Sequence, residues 1–199
     1  NVIEGLTGQT LPMFLIVCCM TFGAAAIRGL TGFGMAIILV PLLGLIIRPD
    51  AAVVLAILLQ LLVGPVGLRT VLADSHKSTS IPIALVAIMT TPAGIWLLAY
   101  TPPDVARVAI AGIALAAFLL VLLPIRNPKV PGLGIAALTG AAAGVLTGFA
   151  AMPGPPVVPF YMRSGLSAIV VRASMMFVFF ATAIAGTLAS WLIGLADVQ

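Results

Sequence analysis

RGLTGFGMAIILVP, residues 28–41, places an arginine and three glycines at the start of a run that is otherwise as apolar as a membrane helix. Glycine lets the chain turn where a Cβ would clash, and the first N–H groups of the next helix then lack partners inside that helix. A helix start, with the positive end of its dipole, suits an anion. The stretch therefore predicts a helix that begins within the apolar region and faces an anionic ligand.

The same motif returns later in the chain. LTGF at residues 30–33 recurs at residues 146–149, and a Val-Pro pair follows each copy, at residues 40–41 and 158–159. We interpret this recurrence as an internal repeat with a period of about 117 residues. Such a repeat has to be recognised before a fold is assigned, because it determines the whole architecture.

The composition indicates an integral membrane protein. Hydrophobic residues make up 62% of the chain and charged residues 7%, and the mean hydropathy is +1.30. Globular domains average roughly 45–50% apolar residues and about 25% charged residues. The apolar runs are continuous rather than alternating, so they predict helices rather than a barrel. The segments are residues 11–27, 33–47, 51–68, 81–100, 105–125, 130–146, 149–162 and 173–196.

Segment length and loop charge predict the topology. The third, fourth, fifth and eighth segments suit one crossing each, and the four shorter segments form two pairs joined by LTGF. Basic residues occupy the loops at 69–77 and 126–129, so both loops are expected in the cytoplasm, with His76 solvated. Residues 11–47 then form a hairpin that enters from outside, and residues 130–162 form one that enters from the cytoplasm.

The predicted fold is an all-α polytopic membrane protein with two inverted repeats, each beginning with a broken or re-entrant helical hairpin. The first repeat is residues 1–125, a hairpin followed by three transmembrane helices. Residues 126–199 are the start of the second repeat, a hairpin followed by one helix, and we expect this repeat to be incomplete. In inverted-repeat transporters, broken helices meet near the bilayer midplane around the transport site.

The glycine motifs and two arginines are the candidate anion ligands. Arg28 adds a positive charge to the first turn, and Arg172 opens the last apolar segment. The alternative is that the glycines only permit close helix packing while both arginines anchor at the membrane interface. The predicted substrate-binding residues are Arg28, Gly29, Thr31, Gly32, Phe33, Gly34, Thr147, Gly148, Phe149 and Arg172.

Two further residues are candidates for the transport pathway, Gln60 and Pro153. Gln60 lies midway along an apolar helix, where it either lines the pathway or hydrogen-bonds another helix. Pro153 belongs to MPGPPVVP, residues 152–159, which cannot hold a regular helical ladder, so the segment 149–162 must be interrupted. Glycines at 140, 144 and 148 have the four-residue spacing of a helix packing face.

The remaining polar residues argue against other function classes. The five acidic residues all lie at segment ends, which disfavours a cation as substrate. The sequence contains no metal-ligand cluster, no Ser/His/Asp set and no phosphate-binding loop, so we predict neither an enzyme nor a metal or cofactor. With nine Lys and Arg in all, the net charge of +4 is better explained by loop charges than by nucleic-acid binding.

These motifs together resemble a known family. GLTGFGMAIILVPLL followed by RPDAAVVLAILLQLL, and VLTGFAAMPGPPVVPF followed by VVRASMMFVFF, are similar to the TauE/SafE family of sulfite and organosulfonate exporters. The resemblance covers essentially the whole chain and implies duplicated halves in a bacterial inner membrane. It also implies export of small sulfur-containing anions such as sulfite or sulfoacetate.

The chain departs from the family pattern at the glycine motif. The signature in the family usually reads GFGGG, whereas here Met35-Ala36 follows Gly34, and the second copy carries Ala150-Ala151. These substitutions would narrow the cavity or reshape the anion site.

The predicted function is a secondary transporter that exports a small anion by alternating access. The alternatives are a passive anion channel that uses the same turns as a filter, and a non-transporting membrane subunit in which the glycines only pack. The expected partners are the anionic substrate and the lipid bilayer. Coupling to a proton or a sodium ion, and assembly as a homodimer, are further expectations.

Overall fold

The computed structural model describes residues 11–31, 34–122 and 130–195, with the backbone alone at residues 11–14, 27–31 and 121–122. These residues form helices joined by short connections, and no strand occurs among them, which confirms the all-α prediction. The helices are α1 (Leu11–Thr31), α2 (Met35–Gly44), α3 (Pro49–Val63), α4 (Leu68–Asp74), α5 (Lys77–Tyr100), α6 (Pro103–Leu122), α7 (Leu133–Ala150), α8 (Gly154–Met162) and α9 (Ala168–Leu192).

Within this part of the chain, α5, α6, α7 and α9 are each long and apolar enough to cross a membrane. The outer surface of α6 shows how such a helix meets lipid, since Val108, Leu115 and Phe118 are exposed. Apolar side chains on the outside of a long helix are typical of a membrane span. The chain is a helical membrane protein, as predicted, while the inverted orientation of its halves stays a prediction.

The segment at residues 51–68 is not one straight helix, and its crossing of the membrane stays a prediction. α3 ends at Val63, and the chain bends by 83° before α4. The bend is built on two glycines. A Cβ on Gly64 would overlap the ring of Phe180, and Gly67 has a φ of +74°, which glycine adopts without strain. Glycine at position 64 therefore allows a contact with α9 that the local sequence does not reveal.

Proline marks three helix starts. Pro49 is the first residue of α3, Pro103 is the first of α6, and α8 carries prolines at 155 and 156 in its first turn. First-turn N–H groups have no acceptor inside the helix, so proline is tolerated there. The predicted interruption of the segment 149–162 is confirmed at residues 151–153. The prolines that follow begin a helix instead of breaking one.

Among the described helices, α5 and α7 make the most extensive contact with each other, and glycine makes this approach feasible. A Cβ on Gly140, Gly144 or Gly148 would overlap the α5 backbone, at Ile83, Ala87 and Thr91 respectively. These three contacts confirm the predicted packing face. Thr90 adds a cross-helix hydrogen bond of 3.1 Å to the carbonyl of Ala141. Small residues and hydroxyl bonds of this kind join helices where lipid supplies no hydrophobic driving force.

The two short helices α2 and α8 lie in different parts of the core. Leu39 and Val40 of α2 are fully buried in a cluster that includes Ile57 of α3. Val157 and Tyr161 of α8 belong to a second buried cluster. We call α2 and α8 the half-helices, because each is too short to span a membrane and follows directly after a longer helix.

Candidate functional site

Both half-helices begin beside the same cavity. α2 starts at Met35 and α8 starts at Gly154, and both residues line a cavity of about 20 Å³. The rest of the lining comes from residues 34, 36 and 37 around the start of α2, Gln60 of α3, residues 151–153 and Phe179 of α9. This volume holds about one water molecule. We call it the central cavity.

The starts of the half-helices are close to each other. A Cβ on Gly154 would lie 3.7 Å from Cδ1 of Ile37, which is ordinary van der Waals contact. Gly34, the residue before α2, has a φ of +93°, a backbone conformation that disfavours any side chain. Two positive dipole ends therefore meet at the central cavity, an arrangement suited to negative charge.

The half-helices differ in the hydrogen bonds that they can offer. Residues 35–38 of α2 all carry an N–H group, whereas residues 155 and 156 in the first turn of α8 are prolines and carry none. The dipole of the α8 backbone is retained, but fewer of its N–H groups can reach a ligand. The start of α2 is therefore the richer hydrogen-bonding side of the central cavity.

Gln60 is the polar side chain that lines the central cavity. It is buried, with 6% of its surface exposed, and its Nε2 donates a 3.0 Å hydrogen bond to the carbonyl of Ala151. The side chain therefore lines the cavity and bonds another element, while its role in a transport pathway stays a prediction. This bond satisfies a carbonyl at the break between α7 and α8.

Ala151 holds an unusual backbone conformation at that break. Its φ of +56° and ψ of +23° lie in the left-handed region, where glycine is the usual residue after a helix. Its side chain is fully buried beside the central cavity. The departure from the glycine-rich signature thus falls at the one described non-glycine residue with a positive φ.

The far end of each half-helix is fixed by a polar contact. At α2, Nε of Arg107 donates a 2.7 Å hydrogen bond to the carbonyl of Gly44, the last residue of the helix, and Nη1 pairs with Asp104 at 2.7 Å. A cation at a helix C-terminus is favourable because of the helix dipole. Arg107 of α6 therefore anchors α2 at the end opposite the central cavity.

At α8 the anchor is a group of hydroxyls around His76. The OH of Tyr161, in the last turn of α8, lies 3.3 Å from Oγ1 of Thr79, which in turn lies 2.9 Å from Nδ1 of His76. The backbone N–H of His76 donates a 2.8 Å bond to Oγ of Ser174 in α9. The prediction of a solvated His76 was wrong, because the residue is half-buried directly before α5 and bonds Thr79 of α5 and Ser174 of α9.

Comparison with known proteins identifies the family. The family model for the sulfite exporter TauE/SafE matches residues 17–199. The chain belongs to the TauE/SafE family. No match was found among curated proteins or among solved structures. The chain is thus a multi-pass helical protein of a membrane-transport family, and the resemblance drawn from its motifs is confirmed.

The second LTGF copy of this TauE/SafE protein is not a turn, so that part of the prediction was wrong. α7 continues to Ala150, and Oγ1 of Thr147 donates a 2.7 Å bond to the carbonyl of Ala143 within the helix. Gly148 packs against α5, and Phe149 is buried in the core. The break follows at residues 151–153, and its first two residues, Ala151 and Met152, were not among the predicted site residues.

The first LTGF copy is described only at its edges. The backbone of Arg28, Gly29 and Thr31 belongs to α1, and their side chains lie outside the described residues, as do Gly32 and Phe33 entirely. Gly34 is described and lines the central cavity. The roles of the other five residues stay predictions.

Arg172 and Pro153 lie in different places. Pro153 immediately precedes α8 and lines the central cavity, and its place on a transport pathway stays a prediction. Arg172 lies in the second turn of α9, which begins at Ala168, and it is exposed in a separate groove beside Asp74 of α4. The structure therefore does not bring Arg172 to the central cavity.

Sequence reasoning missed several residues of the central cavity. Met35 and Ala36 were noticed only as departures from the family signature, while Ile37 and Phe179 were noticed only as parts of longer motifs. The departures from the family signature, at residues 35–36 and 150–151, were the available clue. Within the described ranges, no group of three or more His, Cys, Asp or Glu side chains could hold a metal ion.

Proposed function

We propose that this protein is a secondary transporter that exports a small anion, sulfite or an organosulfonate, across the bacterial inner membrane by alternating access. One observation carries the proposal. The half-helices begin at one central cavity, where they meet the buried amide of Gln60. Membership of the TauE/SafE sulfite exporter family supports the same class of substrate.

The charge at the central cavity matches a monoanion. Each helix start carries roughly half an elementary charge, so two starts together offer about one positive charge. A sulfonate carries one negative charge, and sulfite carries one when it holds a proton. The N–H groups at residues 35–38 and the Gln60 amide would bond the sulfur-bound oxygens. Arg28 is proposed to add charge from the end of α1.

The described acidic residues agree with an anionic substrate. Asp50 and Asp104 lie in the first turns of α3 and α6, and Asp74 is the last residue of α4. None of the three lines the central cavity. A carboxylate there would repel the anion, whereas cation transporters commonly place one within the membrane.

The small volume of the central cavity supports alternating access. About 20 Å³ accommodates a water molecule and is too small for a polyatomic anion. The proposed cycle therefore includes a movement of at least one half-helix that widens this cavity. The contacts at Gly44 and Tyr161 hold the far ends of the half-helices, so rocking of the helices that carry these anchors would widen the cavity.

The test is anion flux in liposomes containing the purified full chain. Labelled sulfite and a panel of sulfonates and carboxylates are offered with and without unlabelled anion on the opposite side. We expect saturable uptake of sulfur oxyanions that is accelerated by the unlabelled anion. Non-saturable flux without this acceleration would indicate a channel, and no flux from folded protein would contradict transport altogether.

A further inference from the structure

A second cavity lies away from the central cavity, at the bend between α3 and α4. It is a groove of about 440 Å³ between α4 and the first turns of α9. Its volume falls within the roughly 300–1,000 Å³ in which proteins hold small molecules. The proposed transport mechanism makes no use of this groove.

The groove lies at the level expected for lipid headgroups. α9 is a candidate membrane span that begins at Ala168, so Arg172 lies only one turn inside its end. α4 turns away from α3 by 83°, as expected of a helix that leaves the membrane interior to lie along its surface. Charged side chains at the ends of membrane spans meet the headgroup layer.

The lining of the groove combines one positive charge, one negative charge and an apolar floor. Asp74 of α4 and Arg172 of α9 both line the groove, while Val66, Ile169 and Met176 supply apolar surface. A groove for a free anion would not need the carboxylate, and a groove for acyl chains alone would need neither charge. The pairing instead complements a zwitterion that carries hydrocarbon chains.

We infer that this groove binds one phosphatidylethanolamine molecule, with its phosphate at Arg172 and its ammonium group at Asp74. A guanidinium carries several N–H donors, so it can bind a phosphate and another acceptor together. A primary ammonium group donates hydrogen bonds to a carboxylate. The acyl chains would lie along Ile169 and Met176, and the lipid would fill the angle between α4 and α9.

This assignment predicts a preference among headgroups. Phosphatidylcholine has the same charges, but its quaternary ammonium has no N–H to donate to Asp74. Phosphatidylglycerol has no cation, so its headgroup would leave the carboxylate of Asp74 unpaired beside an anionic lipid. Both lipids should therefore bind more weakly than phosphatidylethanolamine.

The test is native mass spectrometry of the delipidated full chain with each of the three lipids, all carrying the same acyl chains. We expect one phosphatidylethanolamine to bind about tenfold more tightly than the other two. Asp74→Asn should abolish the preference for the ethanolamine headgroup, and Arg172→Gln should weaken binding of all three lipids. Arg163→Gln removes a charge outside the groove and should leave the binding of all three lipids unchanged.

Equal binding of the three lipids to the unmodified chain would overturn the assignment without any variant. It would also be overturned if folded Asp74→Asn and Arg172→Gln variants bound the lipids as the unmodified chain does. Circular dichroism and gel filtration establish folding. If one variant does not fold, the comparison of ethanolamine and choline headgroups on the unmodified chain still decides the question.

Discussion

Gln60 and Ala151 are joined by a 3.0 Å hydrogen bond from a side-chain amide to a backbone carbonyl, although they lie 91 positions apart. Gln60 belongs to the first predicted repeat, and Ala151 lies at the helix break of the second. The bond therefore links α3 to the break between α7 and α8, beside the central cavity.

Replacing Gln60 with Met should impair both stability and transport. The change keeps the length of the side chain but leaves the carbonyl of Ala151 without its described partner, which costs about 1–3 kcal/mol in the free energy of unfolding. It also removes the polar group of the cavity, so we expect a raised KM for the anion. Thermal unfolding and liposome uptake measure the two effects.

Thr90→Val is the matched control for Gln60→Met. It removes an interhelical bond to the carbonyl of Ala141, away from the central cavity. We expect a comparable loss of stability with an unchanged KM. If both variants changed KM equally, the effect of Gln60 on transport would be only structural.

Substitutions at Ala151 should follow the strain of its left-handed backbone. A non-glycine residue in this conformation lowers the free energy of unfolding by about 1–2 kcal/mol. Glycine avoids this strain, but it loses roughly 0.5–1 kcal/mol because its unfolded chain is more flexible. We expect Ala151→Gly to unfold at the same temperature or slightly higher. Ala151→Val should unfold well below both, because it adds β-branching and buried volume. A more stable Val variant would contradict the described backbone.

The contact between α5 and α7 gives a test with an internal control. Gly144→Ala places a methyl group against the backbone of Ala87 and the hydroxyl of Thr90, and should cost about 1–3 kcal/mol of unfolding free energy. Gly134→Ala, in the first turn of the same helix, meets nothing within 4 Å. Alanine has the higher helix propensity, so this control should be neutral or stabilising by up to ~1 kcal/mol. Equal effects in thermal unfolding would refute the described packing.

Tyr161→Phe should loosen the far end of α8 without disturbing its core. The ring stays buried, while the hydroxyl that lies 3.3 Å from Oγ1 of Thr79 is lost. We expect a loss of about 1 kcal/mol in the free energy of unfolding. The Thr79→Val variant and the double variant complete a cycle. Additive losses would show that the two hydroxyls do not interact.

The sequence revealed the elements whose signal is local. Composition and long apolar runs predicted membrane helices, and the glycines at 140, 144 and 148 predicted a packing face, because each signal depends only on residue type and spacing. The helix break in the second repeat was also expected from its prolines. Their role at the start of α8 follows from the missing N–H group.

The rest depends on contacts between distant residues. Gly64 lies against the ring of Phe180 at the bend after Val63, and Gln60 bonds the break after Ala150. LTGF at residues 146–149 has the composition of a turn, yet packing of Gly148 on α5 keeps it helical. Tertiary packing overrides the local preference in this last case.

The most direct test of the central claim asks whether an anion occupies the space between the half-helices. In a chain with Cys18 and Cys19 replaced by Ser, Ala36→Cys places a thiol at the start of α2, and Thr101→Cys serves as a control outside the central cavity. Thiol labelling in liposomes is followed with increasing organosulfonate, which does not react with thiols. We predict that the anion slows labelling of Ala36→Cys and not of Thr101→Cys. The effect should be half-maximal at an anion concentration near the KM for transport. The claim would be contradicted if a transported anion left the rate of thiol labelling of Ala36→Cys unchanged.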